Sequence, residues 1–89
     1  MIVKFYATLR DITGSREKKV EGYETVGELL KDLAKTYGRD FERLVLKGDG
    51  LVQGAMVLVN GTHIAHLQGF DTPLGEDSVV DVFPPVAGG

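Results

Sequence analysis

The sequence has 89 residues, 43% of them hydrophobic and 26% charged, which is the composition of one ordinary globular domain. A formal net charge of −3 makes nucleic acid and anionic membrane surfaces unexpected partners. Because the chain has no cysteine, it forms no disulfide, thiolate metal site or cysteine nucleophile. No apolar run approaches the ~18 residues of a membrane span and no signal-peptide pattern is present, so we expect a cytoplasmic protein.

The N-terminal segment alternates between apolar and polar side chains. Residues 1–9 place Val3 and Phe5 on one face, which predicts a strand with one buried side. Residues 10–15 predict a turn, and the polar residues 16–20 predict a second strand that pairs back against the first. The lysines of this second strand suit a sheet edge, where they discourage edge-to-edge association.

Residues 25–37 form the clearest helical pattern. Thr25, followed three residues later by Glu28, predicts a capping box, and Gly38 is suited to end the helix. The apolar residues recur at helical spacing and predict one buried stripe, made of Val26, Leu29, Leu30, Leu33 and Tyr37. We therefore expect this helix to pack on a sheet.

Residues 39–54 carry the weakest pattern. Phe41, Leu44 and Val45 predict one short helical turn, and residues 48–50 predict a turn or loop. A ferredoxin-like arrangement would need a second full helix, which so short a pattern does not supply.

The rest of the chain predicts three strands. The apolar run 55–59 ends at the Asn-Gly pair 60–61, a strong hairpin signal, so residues 62–67 are expected to return as a strand. Residues 68–77 predict a loop, and residues 78–83 predict the final strand.

The predicted fold is α+β. One helix cannot cover both faces of a sheet, so the main helix packs on one face of a mixed sheet. The first and last strands carry strong apolar faces, which places them together in the middle of the sheet. This arrangement is a ubiquitin-like β-grasp, with a domain over residues 1–83 and an extended tail over residues 84–89.

The tail carries the strongest functional signal, and it reads Phe83-Pro84-Pro85-Val86-Ala87-Gly88-Gly89. The two prolines end the strand and favour a stiff exit that holds the tail away from the domain. The two glycines have no Cβ, so they fit a channel too narrow for other residues. A disordered end or an expression remnant is the alternative. The stiff spacer favours a tail that enters a partner's active site.

Other groups suited to chemistry are sparse. His63 and His66 lie three apart in a predicted strand and so point to opposite faces, which disfavours a shared metal ion. The acidic residues of the last third are expected to form a solvated face near the tail, made of Asp71, Glu76, Asp77 and Asp81. No phosphate-binding glycine loop and no nucleophile–base pair is evident. We therefore expect no metal, no bound cofactor and no self-contained active site.

A free carboxylate at Gly89 is the remaining candidate for chemistry. With a pKa of ~3.3–3.7, a terminal carboxyl is ionised near neutral pH and is a poor electrophile. Adenylation by ATP turns it into a good electrophile, and sulfur can then replace the adenylate to leave a thiocarboxylate. Such a carrier needs no cysteine, in agreement with the composition.

Three segments together resemble the small subunit of molybdopterin synthase, in the MoaD/ThiS family of sulfur carriers. They are the opening Phe5-Tyr6-Ala7-Thr8-Leu9-Arg10, the loop Gly69-Phe70-Asp71-Thr72-Pro73-Leu74 and the ending from Phe83 to Gly89. The resemblance implies a β-grasp fold and adenylation of Gly89 by an adenylyltransferase that resembles ubiquitin-activating enzymes and uses ATP. It also implies a sulfur donor and insertion of the tail into the large synthase subunit, in a heterotetramer. The sulfur would build the dithiolene of a pterin that later holds molybdenum or tungsten.

The same resemblance implies roles for individual residues. Gly89 is the reactive residue, Gly88 precedes it in the partner's channel, and Phe83 is the aromatic that contacts partners. The expected partner-binding segment consists of Phe83, Pro84, Pro85 and Val86. Because buried aromatic side chains dominate many interfaces, we expect an apolar patch around Phe83 and Val86 that extends to Ile64.

Three other functions remain open at this point. A ubiquitin-like modifier would use the same adenylated Gly89, attacked by a partner's lysine instead of by sulfur, and a carrier could serve tRNA or thiamine thiolation. A plain β-grasp binding module would have an inert tail, since a fold alone does not imply a function.

Overall fold

The computed structural model describes residues 1–85 as a five-stranded mixed sheet, a separate two-stranded sheet (Leu46–Lys47 with Gly50–Leu51) and three α-helices, followed by the beginning of the tail. The strands are β1 (Ile2–Phe5), β2 (Glu17–Lys19), β3 (Leu46–Lys47), β4 (Gly50–Leu51), β5 (Met56–Val59), β6 (Thr62–His63) and β7 (Val79–Phe83). The α-helices are α1 (Leu9–Thr13), α2 (Val26–Tyr37) and α3 (Arg39–Val45), and short 3-10 turns cover Ile64–His66 and Gly69–Asp71. None of the helices in this part of the chain is both long enough and apolar enough to cross a bilayer.

The main sheet has the strand order β2-β1-β7-β5-β6. β1 and β7 lie side by side and run parallel, with Phe5 opposite Val82, while β5 and β2 pair antiparallel with their neighbours. The predicted placement of the first and last strands in the middle of the sheet is confirmed. Together with the helix on one face, this order confirms the ubiquitin-like β-grasp.

The helix α2 covers the inner face of this sheet. Its start is the predicted capping box, in which the Glu28 amide donates to Thr25 Oγ1 at 3.3 Å and the Thr25 amide donates to Glu28 Oε2 at 3.2 Å. The helix ends at Gly38, whose φ of 87° is suited to glycine. The core contains the apolar stripe of α2 and the inward residues of the central strands, among them Leu29, Leu30, Leu33, Val3, Phe5, Val57, Val80 and Val82.

The first strand is shorter than predicted. β1 ends at Phe5, the backbone turns at Ala7 with a positive φ of 54°, and residues 9–13 form α1 instead of a strand end and a turn. Gly14 closes α1 in the left-handed region and donates its amide to the Arg10 carbonyl. Leu9 is fully buried. A single buried apolar residue is compatible with a strand or a helix, so the sequence pattern did not distinguish them.

Two further segments differ from prediction. The single helical turn expected near residue 41 is a seven-residue helix, α3, which buries Phe41 in edge-on contact with Phe5 at a ring-centroid distance of 6.3 Å. After the predicted Asn60-Gly61 turn, which is confirmed, the return strand is only the two residues of β6. A 3-10 turn follows because Ile64 turns inward and is buried.

Candidate functional site: the root of the tail

The last strand leads into the tail root, which consists of Pro84 and Pro85, at one end of the sheet. β7 ends at Phe83, which lies opposite Met56 of β5. Pro84 and Pro85 follow outside the strand, as expected for residues that cannot donate to a ladder. The predicted residues Val86, Gly88 and Gly89 lie outside the described residues.

Phe83 is held by a second aromatic side chain. Its ring stacks on the ring of Tyr6, with centroids 4.2 Å apart and planes inclined by 11°. Both side chains are half-buried, so one face of Phe83 already has a partner within its own chain. The aromatic residue expected to contact partners is therefore also an anchor for the tail root.

Tyr6 is in turn fixed by β7. Its hydroxyl donates to Asp81 Oδ1 at 2.9 Å, and its backbone amide donates to the Val82 carbonyl at 3.2 Å. The hydrogen bond to Asp81, with smaller contributions from burial and from the carboxylate charge, raises the pKa of the Tyr6 phenol above its usual value of 10.0. Tyr6 is therefore a neutral hydrogen-bond donor at physiological pH.

Arg10 adds a third contact to this cluster. Its guanidinium carbon lies 5.5 Å from the centroid of the Tyr6 ring, within the range of a cation–π interaction. Its Nε donates to the Phe5 carbonyl at 3.0 Å, which ties α1 to the end of β1. The short helix that the sequence did not predict thus presents a positive charge beside the tail root.

The two prolines do not stand away from the domain, contrary to expectation. Pro84 is buried and Pro85 is half-buried. Pro85 lies against Gly54, in the turn that precedes β5. The described part of the tail therefore lies against the turn that precedes β5.

The apolar patch expected around Phe83 has a different composition. Ile64 is only 2% exposed and packs in the core, so it cannot join a surface patch. Met56, opposite Phe83, is 40% exposed, and Leu58 and Asp81 lie half-buried beside it on the same face. Antiparallel pairing of β5 with β7 brings these residues together, a contact that no local sequence pattern reveals.

The other candidate groups lie elsewhere. His63 and His66 are not both in a strand, and their rings meet edge-on at 6.3 Å, so the predicted opposite orientation is wrong. Within residues 1–85, no three histidine, aspartate or glutamate side chains come together to hold a metal ion. Glu76 and Asp77 precede β7 and lie at the end opposite the tail. The four acidic residues therefore do not form one face near the tail.

Sequence reasoning missed Tyr6, Arg10 and Gly54 as parts of this site. The sequence predicts that the first and last strands are neighbours, but only their parallel register brings residue 6 near Phe83. Nothing in the local sequence around Gly54 points to the tail, because its contact with Pro85 depends on the register of β5 against β7.

Comparison with known proteins gives a consistent result. The model of the ThiS family matches residues 3–89. Small archaeal modifier protein 3 of Haloferax volcanii is 37% identical over 89 residues, which cover 98% of this chain and 96% of the relative. A putative sulfur carrier protein of Archaeoglobus fulgidus is 29% identical over 65 residues, or 73% of this chain and 74% of the relative.

A solved structure supports the same relationship. The solution structure of small archaeal modifier protein 1 from Methanosarcina acetivorans superposes with a TM-score of 0.82 at 33% identity, covering 99% of this chain and 94% of that one. The family match therefore spans the β-grasp body and the tail together. The chain belongs to the ThiS family, the ubiquitin-like MoaD/ThiS group that includes sulfur carriers and small archaeal modifiers.

Proposed function

We propose that this protein is a sulfur carrier that works as the small subunit of molybdopterin synthase, with a free carboxylate at Gly89 as its reactive group. The observation that carries the proposal is the continuous family match, which runs from residue 3 through the Gly-Gly pair at 88–89. The relative from Archaeoglobus fulgidus that is named a putative sulfur carrier protein supports the sulfur chemistry. The resemblance of the opening, loop and tail segments to molybdopterin synthase small subunits supports the pathway.

The chemistry takes place in two balanced steps on the partner enzyme. A carboxylate oxygen of Gly89 attacks the α-phosphate of ATP, pyrophosphate leaves, and an acyl-adenylate forms. A sulfide-level sulfur nucleophile then attacks the carbonyl carbon, AMP leaves, and a thiocarboxylate remains on Gly89. The adenylyltransferase supplies ATP and the catalytic groups, so this chain needs no bound cofactor.

The folded domain provides the surface that the partners bind and carries the tail that enters their active sites. Phe83 and Met56 offer apolar surface next to the point where the tail leaves the sheet, and apolar contacts of this kind contribute to affinity. Gly88 and Gly89 suit a narrow channel because they have no side chains. The same tail serves first the adenylyltransferase and then the large synthase subunit, which receives it in a heterotetramer. There the sulfur passes to the pterin precursor, in the cytoplasm.

Mass spectrometry of the intact protein tests the proposal. The purified protein is incubated with its cognate adenylyltransferase, ATP and sulfide, and a variant without Gly88 and Gly89 serves as the control. We expect one oxygen to be replaced by sulfur at Gly89 in the wild type and no change in the control. An unmodified wild type, with an adenylyltransferase shown to be active on another carrier, would overturn the proposal.

A second assay tests the pathway. Thiocarboxylated protein is mixed with the large synthase subunit and the pterin precursor, and dithiolene formation is followed. A carrier that is thiocarboxylated but transfers no sulfur to the pterin would serve another pathway, such as tRNA or thiamine thiolation.

Protein modification is the second candidate, favoured by the identity of 37% to a small archaeal modifier protein. In that function a lysine amine of the target attacks the adenylated Gly89, AMP leaves, and an isopeptide bond forms. Cells that express a tagged protein should then contain conjugates of higher mass. These conjugates should vanish when Gly88 and Gly89 are deleted.

A further inference from the structure

The turn before β5 lies directly opposite the tail root. β5 and β7 pair antiparallel with Met56 opposite Phe83, and continuing this register by two residues places Gly54 opposite Pro85. The turn is closed by the Ala55 amide, which donates to the Val52 carbonyl at 3.0 Å. Gly54 occupies its third position with a φ of 91°, a conformation that glycine adopts without strain.

Pro85 fills the space that a side chain at position 54 would need. A Cβ built on Gly54 would lie 3.2 Å from the Cβ of Pro85 and 3.6 Å from its Cα. Ordinary contacts between carbon atoms are about 3.5–4.0 Å. An alanine at position 54 would therefore displace Pro85 by a few tenths of an ångström. The backbone angle favours glycine at this position, and an added Cβ would in addition displace Pro85.

This contact replaces the hydrogen bonds that the tail cannot make. Proline has no amide hydrogen, so the ladder between β5 and β7 cannot continue through Pro84 and Pro85. Phe83 is fixed by its stack on Tyr6, and Pro85 is fixed two residues later by its contact with Gly54. Contacts at both Phe83 and Pro85 restrict the direction of the chain between them, whereas the stack on Tyr6 alone would fix only the position of Phe83.

We propose that Gly54 is a positioning residue for the transfer chemistry, because its contact with Pro85 sets the position and direction of the chain at the last described residue. This inference rests on the proposed function, in which a carboxylate at Gly89 must meet ATP in a partner's active site. Misplacing reacting groups by 1 Å costs up to about 100-fold in rate. A shift of a fraction of an ångström at Pro85 should therefore lower the adenylation rate roughly tenfold.

The test compares Gly54→Ala with Gly22→Ala. Gly22 has the same φ of 91°, is also exposed, and has nothing within 4 Å of an added Cβ. The two variants therefore share the positive φ and differ in the contact with Pro85. We expect Gly54→Ala to lower kcat for adenylation roughly tenfold with KM changed less than about twofold, and Gly22→Ala to keep both constants. Equal kcat values in the two variants would overturn the proposal.

Two further measurements keep the outcome decisive. If Gly54→Ala does not fold, Pro85→Gly removes the same contact from the tail side, and an unchanged kcat in that variant would overturn the proposal. Amide NMR shifts of residues 86–89 are measured in both glycine variants without any enzyme. Shifts in Gly54→Ala alone support the contact, and no shift overturns it. A wild type that is not adenylated refutes the proposed function, while the NMR result still decides the role of Gly54.

Discussion

Replacing Phe83 by leucine should weaken the domain by a small and calculable amount without unfolding it. An aromatic pair contributes about 0.5–1.5 kcal/mol beyond the area it buries, and the Tyr6–Phe83 stack has the short centroid distance of 4.2 Å. A domain of this size has a stability of about 5–15 kcal/mol. The loss corresponds to a fall in Tm of about 4–8 °C for each kcal/mol.

A double-mutant cycle isolates this pairwise contribution. Free energies of unfolding are measured by denaturant titration for the wild type, Tyr6→Leu, Phe83→Leu and the double variant. We expect a coupling energy of about 0.5–1.5 kcal/mol. Tyr6→Phe is the matched control, because it keeps the ring and removes only the hydroxyl that donates to Asp81. In the Tyr6→Phe background the cost of Phe83→Leu should remain that of the wild type.

The same variants separate stability from partner binding. Phe83→Leu should remain folded at 25 °C and should bind the adenylyltransferase more weakly, because Phe83 lies on the exposed face beside the tail root. A coupling energy of zero in the cycle would show that the stack does not anchor the tail. Unchanged affinity in a folded Phe83→Leu would refute its contact with the partner.

Four further outcomes are expected. Thr25→Ala should lower the free energy of unfolding by about 1 kcal/mol through loss of the helix cap, measured by denaturant titration. Leu33→Asp should abolish the folded circular-dichroism signal, because the side chain is only 2% exposed and an unpaired carboxylate cannot be buried there. The pKa of Tyr6 is raised by its hydrogen bond, so this stabilisation is complete below pH 10.0 and is lost as the pH rises through the folded-state pKa. As the pH rises above 10.0, the free energy of unfolding should therefore fall less steeply in Tyr6→Phe than in the wild type. The pKa of Tyr23 is also raised, so Tyr23→Phe is measured in parallel to separate its contribution from that of Tyr6. Gly88→Val should bind the adenylyltransferase with wild-type affinity and be adenylated slowly, as measured by pyrophosphate release.

The β-grasp could be predicted because long apolar patterns determine it. The helix α2 carries its own cap and stripe, and the two central strands carry the strongest apolar faces, so local sequence and tertiary packing agree. Burial of Val26, Leu29 and Leu30 follows directly from their helical spacing.

The short elements could not be predicted for a physical reason. Helices of five or seven residues are unstable alone and depend on tertiary contacts, so α1 and α3 form because Leu9, Phe41 and Val45 reach the core. The same core draws in Ile64 and ends the strand after His63.

The tail root depends on contacts between distant parts of the sequence. Tyr6 reaches Phe83 through the parallel pairing of β1 with β7, and Gly54 reaches Pro85 through the antiparallel pairing of β5 with β7. A sequence pattern identifies the tail residues themselves, but the residues that hold them become visible only with the strand order and register.

Extending the chain beyond Gly89 tests most directly whether the reactive carbon is the carboxyl carbon of that residue. One phenylalanine is added after Gly89, its retention is verified by intact mass, and both proteins are incubated with the adenylyltransferase, ATP and sulfide. We expect the extended protein to unfold at the same temperature as the wild type and to acquire no sulfur. The Gly89 carboxyl is then an amide, and the new terminal carboxylate belongs to a phenylalanine whose side chain does not fit a channel suited to glycine. Sulfur incorporation at the wild-type rate in the uncleaved, extended protein would contradict the proposed chemistry.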